Sequence, residues 1–320
     1  MIATLQSLRF IFVMMIFMSH FAYQGAAAFD AGGDCGVAFF FLLSGFVLTL
    51  GYGPQMGQGT FSYRRYLRRR LLKLYPLHWL CLAVLLVTGR CGLGLSTVLN
   101  ALLLQCWVPL KDYYFSCNSV SWFLSCLLFS YLVFPWLYRH ASRSLTAVVL
   151  LLCAAVYLQV PYDHVNSLLY VNPLIRCADF YLGMLLARLY QRKPEAPAAV
   201  SRPWLEPLLV VLLALALAAY PYADEKLRNA PLYWAVLLPL LLVFAWGKGP
   251  VSRLLRQKPL RWLGSLSMPV FLLHPMTIAL LTGLLPSLPY SVMLVLCIAA
   301  VVLLSWATDR FFLRYIEQKR

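Results

Sequence analysis

Of the 320 residues, 62% are hydrophobic and only 12% are charged, at a mean hydropathy of +0.75. Soluble domains run near 45–50% apolar and about 25% charged, so a water-soluble globule is excluded. The formal net charge of +16 follows the loops between apolar runs, which argues against nucleic acid as a partner.

The first run, "LRFIFVMMIFMSHFAYQG", has no basic segment before it and only a weak cleavage-like string after it. It reads as a retained span over 5–24 and not as a signal peptide. His20 lies eleven positions after Arg9. At about 100° and 1.5 Å per residue, one helix would put both on the same face, about 16 Å apart. An ionisable group in a span costs about 3 kcal/mol on insertion scales and is a functional candidate by default. The competing reading has Arg9 snorkelling to a headgroup and His20 at the far interface.

The second span, 36–53, carries Gly36, Ser44 and Gly45, small residues that permit close helix approach. "YRRYLRRRLLKLYPLHW" follows, with Arg64, Arg65, Arg68, Arg69, Arg70 and Lys73 ahead of a third span over 74–90. Such a cluster suits either anionic lipid headgroups or a phosphate-bearing ligand held by guanidinium forks. Tyr75-Pro76 marks a kink or a helix start. Segment 94–108 is apolar but short, and reads as interfacial or re-entrant. Trp122 opens the next span, 119–138, at a depth where an aromatic belt explains it.

A fifth span covers 145–160 and a sixth 173–191, where Arg176 and Asp179 stand at i and i+3. Mutual neutralisation accounts for them. They also share the depth of His20, which makes the three a candidate acid–base site. The remaining spans are 205–222, 231–247, 265–285 and 290–313, and the ninth carries His274 in mid-membrane before Pro275. His78, His140 and His164 fall near interfaces or in loops and read as structural or solvated.

Ten spans with both termini in the cytosol leave 21 of the 27 cations on the inner side, in every inner loop. The fold class is therefore all-α and polytopic, one membrane domain over 1–320 without an appended soluble domain. The nine cysteines show no metal-ligand spacing, so no metal is expected. Cys35, Cys91, Cys106 and Cys117 fall on the outer side, where a disulfide of unspecified connectivity can form.

Six segments together resemble the acyltransferase-3 family of integral membrane acyltransferases, in the family's order. They are the Arg9-x10-His20 pair, "GVAFFFLLSGF", "RRLLKLYP", the "WFL…Y…FP" pattern from Trp122, "R..DF..GM" from Arg176, and "LGSLSMPVFLLHP". The likeness covers nearly the whole chain. Lys73 departs from the family's usual second Arg, Ala38 from a common acidic residue, and Leu127-Leu128 from a common Glu-Glu. These departures bear on the acceptor more than on the reaction.

The resemblance implies transfer of an acyl group, commonly acetyl, from cytosolic acyl-CoA to a hydroxyl at the outer face of the inner (plasma) membrane. Acyl-CoA would be a co-substrate, with no permanently bound cofactor. Arg9, Arg65, Arg69, Arg70, Lys73 and Tyr75 would hold the coenzyme, and His20 would act as general base. Arg176 would steady the oxyanion and Asp179 would orient the imidazole, with Ser44, Trp122 and His274 lining the pocket. The acceptor class is a surface glycan or its lipid-linked precursor, then peptidoglycan or a small metabolite. Apart from such acceptors, the expected partners are acyl-CoA and membrane lipids. A transporter or flippase of a lipid-linked sugar is the alternative, weakened by the absence of an inverted repeat.

Overall fold

The computed structural model describes residues 2–25, 29–193, 195–198, 200–229 and 231–313. Among them the chain forms fifteen α-helices and no strand: α1 (Ala3–His20), α2 (Asp30–Gly57), α3 (Tyr63–Val87), α4 (Leu95–Ala101), α5 (Lys111–Tyr114), α6 (Trp122–His140), α7 (Arg143–Gln159), α8 (Pro173–Arg192), α9 (Leu205–Ala219), α10 (Glu225–Arg228), α11 (Pro231–Trp246), α12 (Pro250–Leu255), α13 (Lys258–Ser265), α14 (Ser267–Leu284) and α15 (Tyr290–Thr308). Among the described residues, eight helical segments are long and apolar enough to cross a membrane. The two other expected spans are also helical: α7 with 17 residues, and α8 with 20, whose charged residues dilute its hydropathy.

The basic cluster is helical and does not lie in a loop. Helix α3 begins at Tyr63, where Ser62 Oγ caps it by accepting from the Arg65 amide, and Pro76 sits inside the helix. Leu, Arg and Lys are good helix formers, so the cap extends the helix well past the apolar window that marks the span.

Helix α2 lies at the centre, packed on α1 and α8. Gly45 and Gly183 make the α2–α8 approach possible. A Cβ at Gly45 would lie 1.9 Å from the Phe180 carbonyl oxygen, and one at Gly183 1.9 Å from that of Leu42. Removing either side chain lets the two backbones meet. Outward, Leu151, Leu215, Val295 and Leu303 are exposed on α7, α9 and α15, the apolar surface that lipid requires.

Residues 88–121 form a cap rather than a span, since α4 has only seven residues. Cys91 and Cys117 are disulfide-bonded, while Cys35 and Cys106 are free and buried. Inside the cap, Asn100 Nδ2 donates to the Ser116 carbonyl (2.8 Å) and to Ser121 Oγ (3.1 Å). His78 Nε2 meets the Asn100 carbonyl at 2.8 Å and is fully buried, a structural histidine.

Candidate functional site

Three turns of α3 present Arg65, Arg68, Arg69, Arg70 and Lys73 to one cleft of about 490 Å³, with Tyr52 of α2 as its floor. The Arg70 guanidinium bonds the Tyr52 hydroxyl at 3.1 Å and stands 5.4 Å above that ring, which holds one cation of the cleft in place. A second cavity, about 360 Å³, shares Arg70, Leu72 and Lys73 with the cleft and runs into the helix bundle. Gln6 and Arg9 of α1, Ser44 of α2 and Tyr131 of α6 line its neck. Ser44 Oγ donates to the Phe40 carbonyl at 2.7 Å. Deeper in, the walls become aromatic, with Phe40, Phe123 and Phe271, and the last two rings are 5.1 Å apart.

One turn beyond Phe271 on α14 stands His274. Its ring is 6.1 Å from Phe271 and 4.9 Å from His20, edge to face. His20 ends α1 and is exposed, whereas His274 is fully buried. The His20 Nδ1 meets the Ile16 carbonyl at 2.9 Å, with Ser19 Oγ at 3.2 Å. A carbonyl only accepts, so Nδ1 carries the proton and the neutral ring keeps its lone pair on Nε2, the form a general base needs. His274 repeats the device, with Nδ1 at 3.2 Å from the Val270 carbonyl. Pro275 removes the amide that would have bonded the Phe271 carbonyl. The neighbouring Leu272 carbonyl accepts from Asn118 Nδ2 at 2.9 Å, which ties this turn to the cap.

Arg176 and Asp179 form an ion pair at 3.1 Å with side-chain exposures of 0% and 1%. Arg176 also donates to the carbonyls of Tyr170 (2.6 Å) and Asn229 (3.2 Å), and lies 6.0 Å from the Trp122 ring and 5.1 Å from that of Tyr170. The second Asp179 oxygen accepts from Trp234 Nε1 at 2.6 Å. The expected role of Asp179 is therefore corrected: both its oxygens are taken, and the Ile16 carbonyl orients His20 in its place. Arg176 is enclosed and absent from the cavity lining; it ties α8 to the Asn229 carbonyl, while Asp179 ties α8 to Trp234 of α11.

Two further expectations shift. Tyr75 leaves the coenzyme cleft, because its hydroxyl bonds the Leu102 carbonyl at 2.9 Å and its ring lies 4.9 Å from Trp79, on the side facing the cap. Trp122 is buried 4.7 Å from Tyr170 and so belongs to the core; its neighbour Phe123 lines the cavity. Sequence reasoning missed Tyr52, Tyr131, Phe271 and Asp309 as lining residues. Tyr131 was within reach, as the Tyr of the "WFL…Y…FP" pattern.

A family model described as "Acyltransferase domain" matches residues 2–310. Acyltransferase MdmB of Streptomyces mycarofaciens is 28% identical over 321 aligned positions, covering 86% of this chain and 78% of the relative. Protein 2 in picA locus of Rhizobium radiobacter is 41% identical over 68 positions, 21% of this chain and 36% of its own length. No solved structure matches the chain significantly. With a family model covering nearly every residue, on a bundle of helices long and apolar enough to cross a membrane, the chain belongs to the acyltransferase-3 family of membrane acyltransferases.

Proposed function

We propose that the protein moves an acyl group, acetyl foremost, from cytosolic acyl-CoA to a hydroxyl of a surface glycan or its lipid-linked precursor at the outer face of the plasma membrane. The observation that carries this reading is the wall shared by the cleft and the cavity, at Arg70, Leu72 and Lys73. Coenzyme A is a phosphate-rich head on a long thin arm. Guanidinium forks at Arg65, Arg69 and Arg70 suit the head. The cavity accepts the arm, with Arg9 at its neck, and its Phe271 wall lies 6.1 Å, ring to ring, from His274. Volumes of this order match ordinary small-molecule sites, roughly 300–1,000 Å³.

His20 Nε2 then takes the acceptor's proton as its oxygen attacks the thioester carbon. The exposure of His20 fits an acceptor arriving from the side opposite the basic cluster. Arg176 and Asp179 hold the frame that keeps the aromatic layer behind the site in register.

The test is single-turnover acyl transfer and CoA titration on purified protein in lipid nanodiscs. His20→Gln keeps hydrogen bonding without a useful base. It should lower transfer about 10²-fold or more with CoA affinity intact. Transfer at the parent rate would refute the base. Transport of a lipid-linked sugar without thioester consumption would favour the flippase instead. Mass spectrometry of surface glycan with and without the protein identifies the acceptor.

A further inference from the structure

His274 is held more firmly than a bystander needs to be. Its Nδ1 is spent on the Val270 carbonyl, the rings of Phe17 and Phe271 flank it at 6.1 Å each, and the adjacent Leu272 carbonyl is gripped by Asn118. Its Nε2 is buried with no hydrogen-bond partner among the described residues. Proteins rarely leave such an atom unmatched, and a catalytic role is one of the reasons that account for the exceptions. The lone pair on Nε2 lies in the ring that meets His20 edge to face at 4.9 Å.

A second proton-handling group would let attack and departure be served separately. Attack and departure occur on different sides of the thioester carbon. The acceptor comes from the exposed side, where His20 stands, and the sulfur leaves toward the cavity, where Phe271 stands one turn before His274. We propose that His274 is a catalytic residue that carries the proton from His20 to the departing coenzyme sulfur.

His20 Nε2 takes the acceptor O–H proton while the acceptor oxygen bonds the acyl carbon. The carbon–sulfur bond breaks, and its electron pair leaves with the sulfur. The His20 imidazolium passes its Nε2 proton to His274 Nε2, and His274 gives it to the thiolate. The products are the acyl ester and the coenzyme thiol, with both imidazoles restored. Because each Nδ1 proton is pinned by a backbone carbonyl, proton traffic is confined to the two Nε2 atoms.

The inference rests on the reading of His20 as base, and the test separates the two. His274→Asn preserves a donor for the Val270 carbonyl and removes the base. In the full chain in nanodiscs, single-turnover transfer from acetyl-CoA should fall about 100-fold with CoA affinity unchanged. His274→Gly, or His274→Ala where the glycine variant does not fold, should regain at least part of the rate with added imidazole. That gain should follow the basicity of a series of substituted imidazoles. His274→Asn at the parent rate, or a slow small-residue variant that imidazole leaves unchanged, overturns the relay. If His20→Gln is inactive in that case, the base reading survives alone. If His20→Gln is fully active, both fall together.

Discussion

Asp179→Asn should destabilise the protein without touching its chemistry. The Arg176–Asp179 pair is enclosed, at 0% and 1% side-chain exposure. The carboxylate serves two donors, Arg176 Nη1 at 3.1 Å and Trp234 Nε1 at 2.6 Å. An amide has one oxygen, so one donor would face an NH2 group, losing a bond to a charged partner worth about 1.5–3 kcal/mol. The guanidinium would also stay buried without its counter-charge, and breaking such a pair costs about 3–5 kcal/mol in total. At roughly 2 °C per kcal/mol for a chain this size, Tm should fall by about 6–10 °C. The seven free cysteines are all buried, so a thiol-reactive dye reads unfolding directly in detergent. Replacing both partners, as Arg176→Met with Asp179→Leu, should recover most of the loss and retain acyl transfer. A parental Tm for Asp179→Asn would refute the energetic argument. A folded, CoA-binding double variant with no turnover would return the pair to the catalytic centre.

Arg69→Gln with Arg70→Gln should weaken CoA binding by about tenfold or more per lost phosphate contact. Unchanged affinity in calorimetric titration would make the cluster a lipid anchor. Gly45→Ala drives a methyl group into the Phe180 carbonyl and should cost about 1–3 kcal/mol in thermal unfolding; a neutral result would mean that α2 and α8 separate freely. Replacing Cys91 and Cys117 with Ser opens a loop of 26 residues and should cost about 3–4 kcal/mol on the chain-entropy estimate. Because Asn118, the residue after Cys117, holds the His274 turn, transfer should fall in the same variant while CoA binding persists. Cysteines introduced at Thr60 and Glu225 should label from opposite sides of the membrane, Thr60 from the cytosol; labelling of both from one side would end the ten-span topology.

The all-α bundle of apolar helices was legible in the sequence because hydropathy and charge are close to sums of local terms. A residue's transfer free energy and a loop's charge depend little on which helices later become neighbours. Arg9 and His20 could be placed on one face for the same reason, since helix geometry alone sets their phase. Arg176 and Asp179 were legible as a pair at i and i+3. Whether they faced the substrate or the interior was decided by Trp234 and Asn229, residues that α8 meets only once α11 has packed. The same holds for Tyr75, turned toward the cap, and for Cys91, which took Cys117 over two other outer cysteines. The meeting of His274 with His20 is the clearest case. The two lie near opposite ends of the chain, and only the packing of α14 on α1 brings their rings to 4.9 Å. Helix formation is settled by backbone hydrogen bonds within each span, but rotation and partner choice are settled by side-chain packing between spans, and the candidate site is built from that second step.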